Sequence, residues 1–90
     1  MIQRSKKTNE EIKYEVFEEC GVCSPRPNGD VIKLRYMSWN DGEPKYDLRV
    51  WYEEDGKEKC RKGKGFGMVG EELLEIRDLI DELEAKEEEA

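Results

Sequence analysis

Two cations and an aromatic ring recur twice at alternate positions in this chain. Lys33, Arg35, Met37 and Trp39 form one set, and Lys45, Asp47, Arg49 and Trp51 form the other. Alternate residues of an extended strand point to one side, so each set would share a face. Rings of this kind can stack on nucleobases, and the cations can hold phosphates. Stacking is worth about 1–3 kcal/mol per base and is indifferent to which base it is. Phosphate contacts add affinity that salt weakens. Single-stranded nucleic acid suits such a face better than duplex, whose bases are already stacked and whose grooves do not admit a flat sheet well. A densely basic run, Lys59-Cys60-Arg61-Lys62-Gly63-Lys64, follows further along. On the residues alone, plainer readings stay open. The two tryptophans could be buried in a homodimer interface or a core, and the lysines of 59–64 could form a solvated loop.

Other chemistries find little support. The chain has no histidine, which excludes a histidine-based triad or acid–base pair. No catalytic constellation is present, and no enzymatic activity is expected. Gly63-Lys64-Gly65-Phe66-Gly67 lacks the spacing of a phosphate-binding Walker loop. Cys20 and Cys23 have the two-residue spacing of a metal pair, but only Cys60 remains to join them. A three-thiolate zinc site needs all three, and an alternating strand points the first two thiols to opposite faces. They read instead as free, partly buried thiols acting as small hydrophobes. No cofactor and no metal site are assigned.

The elements that must carry these residues can be read from local signals. Ile12, Tyr14, Val16, Cys20 and Val22 alternate over residues 12–23, with Phe17 breaking the period as a bulge would. Residues 31–39 and 44–52 form the next two strands, and 59–69 a fourth that three glycines let bend. Asn28-Gly29, Asp41-Gly42 and Asp55-Gly56 punctuate them as turns of an antiparallel meander. Asp41-Gly42 is expected to take the positive φ of its turn, with Pro44 opening the returning strand.

Gly70 caps a helix from about Glu71 to Lys86, with a fraying acidic tail at 87–90. Leu73, Ile76, Leu79, Ile80 and Leu83 recur at helical spacing, so this stripe is expected to cover the apolar sheet face. That face is Ile32, Leu34, Tyr36 and Ser38 with Tyr46, Leu48, Val50 and Tyr52. The fold class is α+β, a β-β-β-β-α domain over 12–86 preceded by a basic arm at 1–11 that is expected to be flexible.

Ninety residues make one domain whose small core invites a partner chain. The net charge of −7 is uneven. Residues 70–90 hold ten acids and two bases, whereas 31–69 hold nine bases and seven acids. The acidic end could compete for the mildly basic sheet. With no leader-like or membrane-length apolar run and an odd cysteine count, a reducing, cytoplasmic setting is expected, with no membrane role.

Ser38-Trp39-Asn40, then Pro44-Lys45-Tyr46-Asp47-Leu48-Arg49-Val50-Trp51, then Gly63-Lys64-Gly65-Phe66, then Glu71-Glu72 opening the last helix, resemble the transcriptional coactivator positive cofactor four family. The likeness is greatest to its bacterial YdbC-like branch and covers about residues 14–83. The resemblance implies a curved four-stranded antiparallel meander with one C-terminal helix, assembled as a homodimer. It implies binding of single-stranded DNA, or RNA, with little sequence preference, in transcription or DNA metabolism, with the transcription machinery as a further partner. By position it carries the binding role onto Trp39, Lys45, Arg49, Trp51 and Lys64. Face parity adds Lys33, Arg35 and Lys62. Two departures stand out: Asp41 and Glu43 sit in a hairpin that is lysine-rich in eukaryotic members, and the Ser/Lys-rich regulatory tail is absent. On this reading Trp51→Ala should weaken single-strand binding at unchanged fold. The alternative is a dimeric protein–protein interaction module that binds no nucleic acid.

Overall fold

The structure, a computed structural model, describes residues 13–89. The expected arm at 1–11 lies outside the described residues. Strands β1 (Tyr14–Val22), β2 (Val31–Trp39), β3 (Lys45–Glu54) and β4 (Lys57–Met68) precede one helix, α1 (Gly70–Glu89). The strands pair antiparallel in chain order, β1-β2-β3-β4. The chain thus forms the β-β-β-β-α meander that its alternation and turn signals require.

The turns follow from residues that tolerate a left-handed backbone. Asp55 and Gly56 take φ of 55° and 77° between the paired Glu54 and Lys57, as a two-residue type I′ hairpin demands. Gly29 sits at φ 94°, and the Asn28 side chain accepts the Asp30 N–H at 2.9 Å. The middle turn corrects the sequence reading. Asn40 and Asp41 carry the positive φ, at 52° and 61°, and Gly42 does not. The Gly42 N–H donates to the Trp39 carbonyl at 2.8 Å. Short polar side chains make this region accessible to Asn and Asp. Gly42 serves differently, since a Cβ there would lie 3.0 Å from the Trp39 carbonyl oxygen.

Irregular register makes the sheet curl. β1 shifts between Val16 and Glu18, where Phe17 is the extra residue as its sequence position suggests, and again between Glu19 and Gly21. On β4 the stretch from Cys60 to Gly65 faces only Trp51 to Arg49 of β3. Bulges bend a strand and increase its twist. The outcome is visible in the two tryptophans. Trp51 lies opposite Val31, and a flat β2 would run about 26 Å from Val31 to Trp39. Yet the two rings stack with centroids 6.0 Å apart and planes within 6°.

This curl reverses the expected roles of the two faces. Arg35, Met37, Asp47 and Trp51, all on the basic and aromatic face, are buried. On the other face Val50, Met68 and Ser38 are buried, while Ile32, Leu34, Tyr36, Tyr46 and Leu48 are only half-buried. A concave surface converges its side chains and a convex one splays them.

The helix also departs from expectation. None of its residues is buried, and Leu74, Leu79, Ile80 and Leu83 are more than half exposed. It meets the sheet only near its start, where Gly70 lies beside the Tyr46 ring, and the molecule extends 64 × 32 × 20 Å. The physical reason is the link. Val69 alone separates β4 from α1, too little chain to turn the helix back across the sheet. Val69 also takes the capping position expected of Gly70. Its carbonyl accepts from the Glu72 and Leu73 N–H groups, and its own N–H donates to the Glu72 carboxylate at 3.0 Å. That is the reciprocal half of a capping box. The helix continues through Glu89, so the tail at 87–89 is helical rather than frayed.

Candidate functional site

The concave face is built around Trp39 and Trp51. Each ring lies 5.3 Å from the Tyr14 ring, which β1 brings over both. Arg35 lies 4.7 Å from the Trp51 centroid and Arg49 lies 4.9 Å from that of Trp39. Guanidinium over indole is a favourable cation–π geometry. The two tryptophans nevertheless differ in access. Trp51 is 2% exposed, whereas Trp39 is half-buried.

Three carboxylates hold three cations of this face, Lys33, Arg35 and Arg49. Asp47, 2% exposed, accepts Arg49 Nε and Nη2 at 2.9 Å each and Trp39 Nε1 at 3.0 Å. Glu19 accepts Arg35 Nε at 2.9 Å. Glu58 accepts Arg35 Nη2 at 2.8 Å, Lys33 Nζ, and the Tyr14 hydroxyl at 3.4 Å. Glu58 thereby ties β4 to β2 and β1. Burial pushes the Glu58 carboxyl up, but the hydrogen bonds and charges of Arg35 and Lys33 outweigh it and hold the carboxyl below its usual range. Burial and the Glu58 charge push the Tyr14 phenol up.

Trp39, Lys45 and Arg49 come together at a groove of about 360 Å³ that opens on the concave face, with Gly67 and Met37 in its lining. Gly67 lines this opening beside the Lys45 stem, which a Cβ there would meet at an ordinary 3.7 Å, and Gly65 lies against Arg49, where a Cβ would strike the Arg49 side chain. Lys45 is exposed and forms no ion pair among the described residues.

The other sequence candidates are placed apart from this groove. Trp51 and Arg35 are interior, and Lys33 is half-buried in the Glu58 cluster. Lys62 and Lys64 are exposed on the β4 bulge, where Gly63 takes φ 71°. Lys64 borders a second groove of about 270 Å³ over Ile32, Leu48 and Val50, beside Phe66 and Arg26. Cys20 and Cys23 are exposed, contrary to the expected partial burial, and Cys60 is half-buried.

Sequence reasoning missed Tyr14, Asp47, Glu19 and Glu58 as parts of the site. Only Asp47 carried a local signal, lying two residues before Arg49 on the same strand face. The other three act across strands, and their partners depend on register and curl.

Among the described residues no helix is long and apolar enough to cross a membrane, and no group of three His, Cys, Asp or Glu side chains could hold a metal ion. No family model matches the chain. A protein of Treponema pallidum (strain Nichols), named only as an uncharacterized protein, is 33% identical over 75 residues, which is 83% of this chain and 84% of that one.

Proposed function

We propose that this protein, which belongs to the same family as the Treponema pallidum protein, binds single-stranded DNA or RNA as a homodimer. The observation that carries this reading is the groove lined by a half-buried Trp39 ring, Arg49 and the exposed Lys45, together with Glu43 and Asp47. A base stacks on the accessible part of Trp39, and Lys45 holds the adjoining phosphate. Arg49 contributes less charge than its type suggests, because Asp47 already accepts two of its N–H groups. Lys64 borders Ile32, Leu48 and Val50 on the opposite face of the sheet and takes no part in this contact, while Lys62 stands exposed on the β4 bulge. Trp51, Arg35 and Lys33 lie outside the groove: Trp51 backs the Trp39 ring at 6.0 Å, and Arg35 and Lys33 are paired with Glu58.

Dimer formation is supported by the apolar stripe on α1 and the half-buried convex face, which a single copy leaves in contact with water. The reading places the protein in the cytoplasm, in transcription or DNA metabolism, and includes no enzymatic step. The exposed helix also favours the second reading, a module that binds a polypeptide.

Tryptophan fluorescence titrated with a short oligo-dT, and in parallel with a duplex of equal length, separates the two. Quenching by the single strand that weakens with salt and is lost in Trp39→Ala is the expected result. No response to either oligonucleotide would remove the nucleic-acid reading.

A further inference from the structure

Asp47 is a buried carboxylate that no binding role yet uses. It accepts three hydrogen bonds, from the Trp39 indole N–H and from two nitrogens of Arg49. Trp39 is thus fixed in its ring plane by Asp47 and over its face by the Arg49 guanidinium at 4.9 Å. The Arg49 stem lies against Gly65 of β4, with no room for a side chain between them. Ring, guanidinium and carboxylate form one preassembled unit on the groove wall.

We infer that Asp47 is the positioning residue that makes this groove prefer single strands to duplex, by orienting Trp39 for stacking while offsetting the charge of Arg49. The inference rests on the single-strand reading above. Its logic is a balance of two attractions. Phosphate attraction draws any nucleic acid, paired or not. Stacking rewards only a base that is free of its own stack, and on Trp39 it uses the part of the ring that Arg49 at 4.9 Å and Trp51 at 6.0 Å leave exposed. A carboxylate at 2.9 Å from Arg49 weakens the first and leaves the second intact. Lys45 is then the one groove cation without a carboxylate partner among the described residues.

The test compares the full chain with Asp47→Asn and Asp47→Glu. Each is titrated with oligo-dT and an equal-length duplex over a range of salt. Asp47→Asn releases Arg49, so its oligo-dT affinity should fall more steeply with salt, by about 0.7 in log K per log salt. Its low-salt duplex affinity should rise about threefold or more, narrowing the preference for the single strand. Asp47→Glu keeps the charge but displaces the acceptor by a methylene. It should keep the shallow salt dependence and lose oligo-dT affinity as Trp39 shifts, which is readable even if the asparagine variant fails to fold. The Trp39 indole N–H resonance should move in both variants. A purely structural Asp47 would lower single-strand and duplex binding in proportion, with salt slopes unchanged, and that result overturns the assignment. Failure of the unmodified protein to bind oligo-dT overturns the single-strand reading together with it, whereas normal binding with an unaltered preference in both variants overturns the role of Asp47 alone.

Discussion

Trp51 and Trp39 carry the same side chain on the same face and should behave differently when truncated. Trp51 is 2% exposed beneath Tyr14 and beside Arg35. Trp51→Ala leaves a large cavity in a small core and should cost about 3–5 kcal/mol of stability. It is therefore a folding variant, in place of the pure binding variant expected from the sequence. Trp39→Ala should cost less stability and more affinity, and urea denaturation measured beside oligo-dT titration would separate the two. Gly65 makes a complementary prediction. A methyl there would lie 2.7 Å from the Leu48 carbonyl oxygen and 2.8 Å from the Arg49 Cα. Gly65→Ala should destabilise by about 1–3 kcal/mol, readable in a urea midpoint, and should displace Arg49 from Trp39.

Among the elements, α1 has the clearest consequence. Its 20 residues, Gly70–Glu89, form one helix that leaves the sheet at Val69. At about 1.5 Å per residue, its acidic end lies roughly 28 Å along the axis from its start. Within one protomer the acidic tail is thus carried away from the Lys45 groove rather than folded onto it. Removing residues 87–90 should leave low-salt affinity for oligo-dT unchanged, and a clear gain would show that the tail competes for the site. The β4 bulge is the second decisive element. By facing Cys60 to Gly65 against Trp51 to Arg49, it sets the curl and puts Lys62 and Lys64 on its crest.

At the scale of the whole molecule, the proposed dimer would use the exposed apolar stripe of the helix. Ile80 and Leu83 are 51% and 59% exposed. Ile80→Asp should shift a concentration-dependent dimer to monomer in sedimentation velocity while leaving the sheet's circular dichroism in place. Acid stability is likewise a property of the curled sheet. The folded-state carboxyl of Glu58 titrates below its unfolded value of about 4.3, so its contribution is present above that pH. The contribution fades as pH falls through the lower, folded value. Glu58→Gln should therefore reduce stability at neutral pH and flatten its decline below about pH 4.3, in denaturation followed across pH.

The strands, their order, two of the three turn pairs and the helix were legible in the chain because each depends on neighbours a few residues apart. Alternation at 31–39 and 45–51 put the right residues on one face, and Asp55-Gly56 marked its hairpin. The identity of the buried face was not legible. It depends on the angle of curl, which three register shifts, two on β1 and one against β4, accumulate and no single stretch encodes. The same is true of the site. Trp39, Lys45 and Arg49 could be chosen by type and spacing, but the withdrawal of Trp51, the neutralisation of Arg35 by Glu19 and Glu58, and the hold of Asp47 on Trp39 arise only once distant strands meet. Sequence determined the pairing and the residue chemistry, which are local. Tertiary structure decided which of those residues remain accessible, because access is a property of curvature.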